Sequence, residues 1–290
     1  IDQNSSVSQI IEGTKMALYK FDKFKSEKTE NSPDLTIITS KSKKILQTIK
    51  TAEIVADGAI FTKSIANLPP NECTPTTLAN FAKTISKNSK MKCNIISKSE
   101  LEKKGFGGII AVGKGSKNEP KLIVLEHSQG PKNEKPIVLV GKAVTFDTGG
   151  ISLKPGANMD EMKFDKCGGC TVLGIMKAVS ELKLPINVVG IIPSVENMPG
   201  GEAYRPGDII KLFNGKTAEI LNTDAEGRLI LADALAYGEK HYSPKAIIDF
   251  ATLTGACIVA LGTNVAAIVS NDDKLTKKIN DSSKKTTEAV

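Results

Sequence analysis

The chain has 290 residues, of which 40% are hydrophobic and 24% charged, with a formal net charge of +7. This composition is ordinary for a soluble globular protein of one large domain or two. The most apolar stretch, residues 246–269, is interrupted by Asp249, Gly255, Gly262 and Asn264, which argues against a transmembrane helix.

The positive charge comes almost entirely from lysine, because Arg205 and Arg228 are the only arginines. The lysines are scattered, so a solvated surface is favoured over a nucleic-acid interface. Specific readout of bases is not expected with so few arginines and no recognisable DNA-binding motif.

Five cysteines at wide spacing do not form the pattern of a disulfide framework, which fits a reducing cytoplasm. The first residues show no apolar segment of a signal peptide. Cys167 and Cys170 form a single Cys-x-x-Cys motif, which could indicate a redox pair or half a zinc site. Without a second pair, small buried residues at a glycine-rich helix start are the favoured interpretation.

Apolar spacing and punctuation by Gly and Pro predict alternating strands and helices. Helices are predicted at residues 42–67, 168–183 and 229–237. Two more are predicted from their caps: one begins after Thr74 and ends near residue 87, and a short one begins at a Ser99-x-x-Glu102 capping box. Predicted strands cover residues 35–39, 92–97, 108–112, 122–125, 137–140, 187–192, 218–221, 246–250 and 265–269. The alternation predicts an α/β fold with a mixed, largely parallel central sheet and helices on both faces.

The segment 108–115 nearly matches a phosphate-binding P-loop. Gly115 stands after Lys114 where a Ser or Thr hydroxyl would bind magnesium, so the match is incomplete. A strand that ends in a glycine turn is sufficient to explain the segment.

An acidic segment, residues 222–229, lies between a predicted strand and a predicted helix, where open α/β sheets bind ligands. Asp224 and Glu226 are two residues apart and face the same way in an extended chain. Two such carboxylates repel each other unless a cation lies between them. The alternative is an acidic helix N-terminus stabilised by the helix dipole, but this leaves Arg228 unexplained.

A second acidic cluster follows the strand at 137–140. Asp147 and Asp165 bring the acidic inventory to four carboxylates, which two divalent cations would neutralise, while Lys154 and Arg228 remain to face an anion. This balance is typical of a two-metal hydrolytic site. Taken one at a time, each aspartate is better explained as a cap or turn residue, and only the four together suggest such a site.

The two histidines, His127 and His241, lie in unrelated contexts and are expected to be surface or capping residues. Neither a His-Glu-x-x-His helix nor a Gly-x-Ser-x-Gly elbow is present. A hydrolase built from this chain must therefore work without a histidine base.

Three segments, 141–155, 158–165 and 222–229, resemble in order and spacing the motifs of the leucyl aminopeptidases, the cytosol aminopeptidase family of two-metal exopeptidases. The resemblance extends from about residue 10 to the end of the chain. It implies hydrolysis of the first peptide bond of peptides that begin with an apolar residue such as leucine.

The resemblance also implies a role for each matched residue. Asp147 and Glu226 bridge two Zn or Mn ions, Lys142 and Asp165 complete the tighter site, and Asp224 completes the more exchangeable one. Lys154 polarises the scissile carbonyl, and Arg228 holds a bicarbonate that acts as general base. The matched substrate-pocket positions are Met162, Asn222, Thr252, Leu253, Thr254 and Gly255.

The resemblance further implies the organisation of the chain. Residues 1–42 correspond to the tail of an N-terminal α/β domain, 43–70 to a linker helix, and 71–290 to a catalytic domain that is incomplete at its C-terminus. Relatives form homohexamers, and some have a second, DNA-binding role, which is the alternative function. Lys166 and Cys170 depart from the family pattern at positions that concern packing rather than chemistry.

Overall fold

The computed structural model describes residues 3–27, 34–38 and 43–290. Parts of the predicted N-terminal segment 1–42 therefore lie outside the described residues. The strand predicted at 35–39 is not present over residues 35–38, which have no regular secondary structure, and Thr39 lies outside the described residues.

Helices and strands alternate through most of the described chain. The helices are α1 Gln3–Leu18, α2 Lys43–Ala66, α3 Pro75–Lys87, α4 Lys98–Lys104, α5 Gly107–Gly113, α6 Cys167–Glu181, α7 Glu226–Tyr242, α8 Ala256–Leu261 and α9 Asp273–Thr286. The strands are β1 Lys92–Ile96, β2 Lys121–Ser128, β3 Ile137–Gly141, β4 Ala143–Asp147, β5 Asn187–Asn197, β6 Ile209–Lys211, β7 Thr217–Glu219 and β8 Ala246–Phe250. Two 3-10 turns, Met159–Phe164 and Thr223–Ala225, complete the regular structure of the described residues.

The main sheet of the described chain contains six strands in the order β1-β2-β5-β3-β8, with β4 also paired to β5. Strand β2 runs antiparallel to β1 and to β5. The remaining pairs, β3 with β5, β3 with β8 and β4 with β5, are parallel. The predicted mixed, largely parallel sheet is therefore confirmed.

Helices cover both faces of this sheet. Alternate residues of a strand point to opposite faces, and in β3 the buried Val138 and Val140 join one hydrophobic cluster while Leu139 joins another. The first cluster is completed by α5 and α7, and the second by α3, α6 and the end of α2. The predicted two-faced α/β arrangement is confirmed.

Residues 108–112 form helix α5, so the predicted strand was wrong and the segment is not a P-loop. The carboxylate of Asp233 accepts a hydrogen bond from the backbone N–H of Ile109 at 2.9 Å, which satisfies a free donor at the helix start. Gly108 lies so close to α7 that a Cβ there would be 2.5 Å from the carbonyl oxygen of Leu229. A tertiary contact therefore determines this helix.

Other local predictions had mixed outcomes. Thr74 caps α3 as predicted, since its hydroxyl accepts the N–H of Thr77 at 3.3 Å. The capping box of α4 lies two residues earlier than predicted, because the N–H of Ser97 donates to Glu100 at 3.0 Å. Residues 265–269 are not a strand, and 218–221 contribute only to β7, which pairs with β6 in a separate small sheet.

His127 also differs from expectation, because it is buried within β2 rather than exposed. Its Nε2 lies 2.8 Å from the carbonyl oxygen of Leu184. In the strand register His127 pairs with Val188, near the start of β5.

The chain divides into two compact units, Ile1–Thr252 and Leu253–Val290. The second unit contains α8 and α9, and α9 is capped by the Asp272 side chain, which accepts the N–H of Lys274 and Leu275. None of the helices in the described part of the chain has the length and apolarity needed to span a membrane. The division at 42/43 and 70/71 stays a prediction.

Candidate metal centre

Lys142 lies at a break between two strands. Strand β3 ends at Gly141 and β4 begins at Ala143, and both run parallel to β5. The backbone of Lys142 is not hydrogen-bonded to β5. Its N–H donates to the carbonyl oxygen of Phe250 at 2.9 Å, and its carbonyl oxygen accepts the N–H of Gly169 at 2.8 Å. The side chain is buried at this end of the sheet.

The Lys142 ammonium group lies between two acidic side chains. Its Nζ is 2.8 Å from Asp165 Oδ1 and 2.9 Å from Glu226 Oε1, and it also donates to the carbonyl oxygen of Thr252 at 2.9 Å. The hydroxyl of Thr252 donates to the same Asp165 oxygen at 2.6 Å. Helix α7 supplies Glu226 as its first residue, so the helix N-terminus faces the cluster.

Lys154 bridges the other two acidic residues. Its Nζ lies 3.0 Å from Asp147 Oδ2 and also pairs with Asp224 Oδ1. The structure therefore brings together all four acidic residues predicted from the sequence, with one lysine between each pair.

The donor set fits divalent cations. One carboxylate oxygen from each of Asp147, Asp165 and Glu226 lies within 4.8 Å of the others, and all three residues are buried. Asp165 Oδ2 and Glu226 Oε2 are buried without a hydrogen-bond partner among the described residues. Unsatisfied buried oxygens are costly, and carboxylate oxygens are ligands that hard or borderline dications accept.

Burial and ion pairing shift the pKa values of the cluster in opposite directions. Burial raises the pKa of the carboxyl groups of Asp165 and Glu226, although Lys142 opposes the shift. Burial also lowers the pKa of Lys142, but Asp165 and Glu226 outweigh this, and the net pKa is above its usual value. Burial lowers the pKa of Lys154 as well, yet its ion pairs with Asp224 and Asp147 outweigh that effect, so its net pKa is also raised. Both lysines are therefore cationic in this arrangement.

Sequence reasoning missed the polar side chains behind the carboxylates. Asn197, at the end of β5, donates to Asp147 Oδ1 at 2.8 Å. Tyr204 donates to the carbonyl oxygen of Thr223 at 2.6 Å. The available signal was position, because Asn197 ends a buried strand in the same way that Asp147 ends β4.

The remaining predicted residues have the following places. Arg228 is exposed in the first turn of α7, and Met162 is half-buried in the turn Met159–Phe164. Asn222 is exposed, and its Oδ1 accepts the N–H of Asp224 at 2.8 Å. Leu253, Thr254 and Gly255 belong to the second unit.

Comparison with known proteins places these motifs in a family. The model of the cytosol aminopeptidase family, catalytic domain, matches residues 60–290. A probable cytosol aminopeptidase of Cenarchaeum symbiosum (strain A) is 63% identical over 290 residues, which are 100% of this chain and 59% of the relative. A probable cytosol aminopeptidase of Nitrosospira multiformis is 50% identical over 293 residues, covering 98% of this chain and 56% of the relative.

Among solved structures, the bottromycin maturation enzyme BotP in complex with Mn superimposes with a TM-score of 0.88 at 32% sequence identity. The match covers 98% of this chain and 60% of that chain. The present chain therefore spans less than two thirds of the length of these curated relatives and of BotP.

Proposed function

Because the chain belongs to the cytosol aminopeptidase family, we propose that it carries the catalytic metal centre of an aminopeptidase, which removes the first residue of a peptide. The observation that carries the proposal is the buried group of Asp147, Asp165 and Glu226, whose oxygens converge within 4.8 Å. Most buried polar atoms in proteins are hydrogen-bonded, whereas Asp165 Oδ2 and Glu226 Oε2 have no hydrogen-bond partner among the described residues, which leaves these oxygens available to a cation.

Two divalent ions would be held by Lys142 and the four carboxylates. Asp147 and Glu226 would touch both ions, Lys142 and Asp165 one, and Asp224 the other. When bound, such ions act as Lewis acids and lower the pKa of water near them. Mn is supported by the similarity of the chain to BotP, whose structure was solved in complex with Mn; Zn is the other candidate.

Lys154 and Arg228 would act on the substrate. Lys154 pairs with Asp147 and Asp224 at the edge of the cluster, from which a cationic amine can polarise a scissile carbonyl and stabilise the developing oxyanion. Arg228 is exposed in the first turn of α7, where a guanidinium can hold a planar anion such as bicarbonate in a bidentate contact. Arg228 would thus hold a group that supplies general-base chemistry.

The substrate would be a peptide with a free α-amino group and an apolar first residue such as leucine. Its side chain would be accommodated at Met162, Asn222 and Thr252, while the roles of Leu253, Thr254 and Gly255 stay predictions from the sequence. A homohexamer and a cytoplasmic location complete the proposal by analogy with the family. The DNA-binding alternative, which the resemblance suggested and the lysine content permits without showing, has no support from the comparisons.

A paired-substrate assay tests the proposal. The chain, supplied with Mn²⁺ or Zn²⁺, should hydrolyse leucinamide and should not hydrolyse N-acetyl-leucinamide, because acetylation removes the free amine. A chelator should abolish the activity and added metal should restore it. Equal hydrolysis of both amides, or hydrolysis that survives chelation, would contradict a metal-dependent aminopeptidase.

A further inference from the structure

One buried amide joins the two acidic segments of the centre. Asn197 is fully buried at the end of β5. Its Nδ2 donates to Asp147 Oδ1 at 2.8 Å and to the carbonyl oxygen of Thr223 at 3.1 Å. Asp147 ends β4, whereas Thr223 immediately precedes Asp224, so the amide connects segments that are far apart in sequence.

The backbone of Asn197 holds a third part of the same centre. Its carbonyl oxygen accepts the N–H of Thr148 at 3.0 Å and the Thr148 hydroxyl at 2.9 Å. The carbonyl of Thr148 in turn accepts the N–H of Lys154 at 2.9 Å. The loop that carries Lys154 is therefore fastened to the same residue.

The chemistry of the neighbours fixes which way the Asn197 amide points. The Asn197 side chain has two hydrogen-bond partners, the carboxylate of Asp147 and the backbone carbonyl of Thr223. Both are acceptors, so the NH₂ group of Asn197 must face them. Oδ1 then faces Gly150, where a Cβ would lie 2.8 Å from it, and it has no hydrogen-bond partner among the described residues. An aspartate at this position would set a second carboxylate against Asp147.

The contact also determines which oxygen of Asp147 is available. Oδ1 accepts from Asn197 and from the N–H of Gly149 at 2.9 Å, so it already has two donors. Oδ2 faces Lys154 at 3.0 Å. Asp147 is therefore held in one orientation, with Oδ2 towards the centre.

We propose that Asn197 is a positioning residue of the metal centre, which orients Asp147 and keeps the segment of Asp224 and Glu226 aligned with it. This inference rests on the proposed function, because it assumes that these carboxylates bind cations. Partners that orient metal ligands in this way typically affect metal affinity or activity by about 10–100-fold.

The chain offers a matched control in Asn187, at the opposite end of the same strand. Its Oδ1 accepts the N–H of Gly130 at 3.0 Å, and its Nδ2 donates to the carbonyls of Pro131 and Glu134 at 2.9 Å. Asn187→Asp thus makes the same chemical change in the same strand, away from the carboxylates.

The test is Mn²⁺ binding by calorimetry, with the electron paramagnetic resonance spectrum of the bound ions as a second readout. Wild type and Asn187→Asp should bind two ions with similar affinity and show a spin-coupled pair. Asn197→Asp, which keeps the shape but removes the donors, should bind at least about tenfold more weakly and lose the coupled spectrum. Asn197→Ala, which adds no charge, should show the same change to a smaller extent.

Circular dichroism decides whether the variants are folded. Folded Asn197 variants that bind two ions like wild type, with the coupled spectrum intact, would overturn the inference and leave the proposed function standing. Loss of folding in both Asn197 variants would also count against it, since the residue would then serve the core rather than the centre. Failure of wild type itself to bind either Mn²⁺ or Zn²⁺ would overturn the inference and the proposed function together.

Discussion

The side-chain nitrogen of Lys142 lies 2.8 Å from Oδ1 of Asp165, and both residues are buried. Burial favours a neutral Lys142, but Asp165 and Glu226 hold its pKa above the usual value. An ammonium has no lone pair, so Lys142 must lose its proton before it can bind a metal. A lysine with a pKa near 10.4 pays roughly 4–5 kcal/mol for neutrality at pH 7, which nearby dications can supply.

Metal affinity should therefore fall as pH falls. The raised pKa of Lys142 means that the amine binds its proton more tightly in the cluster, and protons also compete for Asp165 and Glu226, whose pKa values are raised by burial. Titration of Mn²⁺ into the chain at several pH values between 6 and 8 measures this, and an affinity independent of pH would contradict it.

Lys142→Arg should keep the fold and lose the tighter metal. A guanidinium stays protonated, so it can pair with Asp165 and Glu226 but cannot coordinate an ion. Metal stoichiometry and circular dichroism measured beside wild type check this. If the folded variant held both ions at wild-type affinity, Lys142 would not be a ligand.

Asp147→Ala and Glu226→Ala should each reduce bound metal well below two equivalents and abolish turnover, because each side chain is proposed to touch both ions. Asp160→Ala is the control, since Asp160 is an exposed acid of the turn Met159–Phe164. Elemental analysis of the purified variants gives the stoichiometry. Two full equivalents in either variant would refute the bridging assignment.

Lys154→Ala should lower turnover by about 10²–10³ while both metals stay bound, as is typical for loss of an oxyanion donor. Arg228→Ala should behave in the same direction, and Arg205→Ala, which removes an exposed arginine paired with Asp208, should change neither property. The comparison of kcat with metal content separates the two roles. Near-normal kcat in Lys154→Ala would remove this lysine from the mechanism.

Asp233 should make the folded chain less stable as pH rises, which is opposite to the usual effect of a carboxylate. Its buried carboxylate accepts the N–H groups of Ile109 and Phe213, and burial raises its pKa to about 6. Since the unfolded value is about 3.9, the folded chain binds more protons between these values, and the contribution of Asp233 to the free energy of unfolding falls as pH rises through that window.

The stability advantage of wild type over Asp233→Asn should therefore be largest near pH 4 and smallest above pH 6. Urea unfolding of both proteins across this range measures it. An advantage that is constant, or that grows with pH, would show that folding does not raise the pKa of Asp233.

The four carboxylates could be predicted because each has a local signal. Asp147 ends an apolar strand, and Asp224 and Glu226 stand two apart at the start of a predicted helix, the kind of position where open α/β sheets bind ligands. The predicted extended chain at 224–226 was wrong, because Asp224 lies in a 3-10 turn and Glu226 is the first residue of α7. The cap at Thr74 was equally local.

The features that could not be predicted depend on distant contacts. The run at 108–112 is short and apolar, a pattern shared by strands and buried helices, and its helix is capped by Asp233, 124 residues away. Asn197 contacts Asp147 across 50 residues. Its position at the end of a strand indicates an edge of the sheet but does not indicate which residue it contacts there. The ion pairs of Lys142 and Lys154 likewise arise only after folding.

Anomalous X-ray diffraction from crystals of the chain soaked in Mn²⁺ tests the central claim most directly. The account predicts two anomalous peaks, each within coordination distance of Asp147 and Glu226, with one also near Lys142 and Asp165 and the other near Asp224. A single peak, or peaks that leave these carboxylates without a metal, would contradict it.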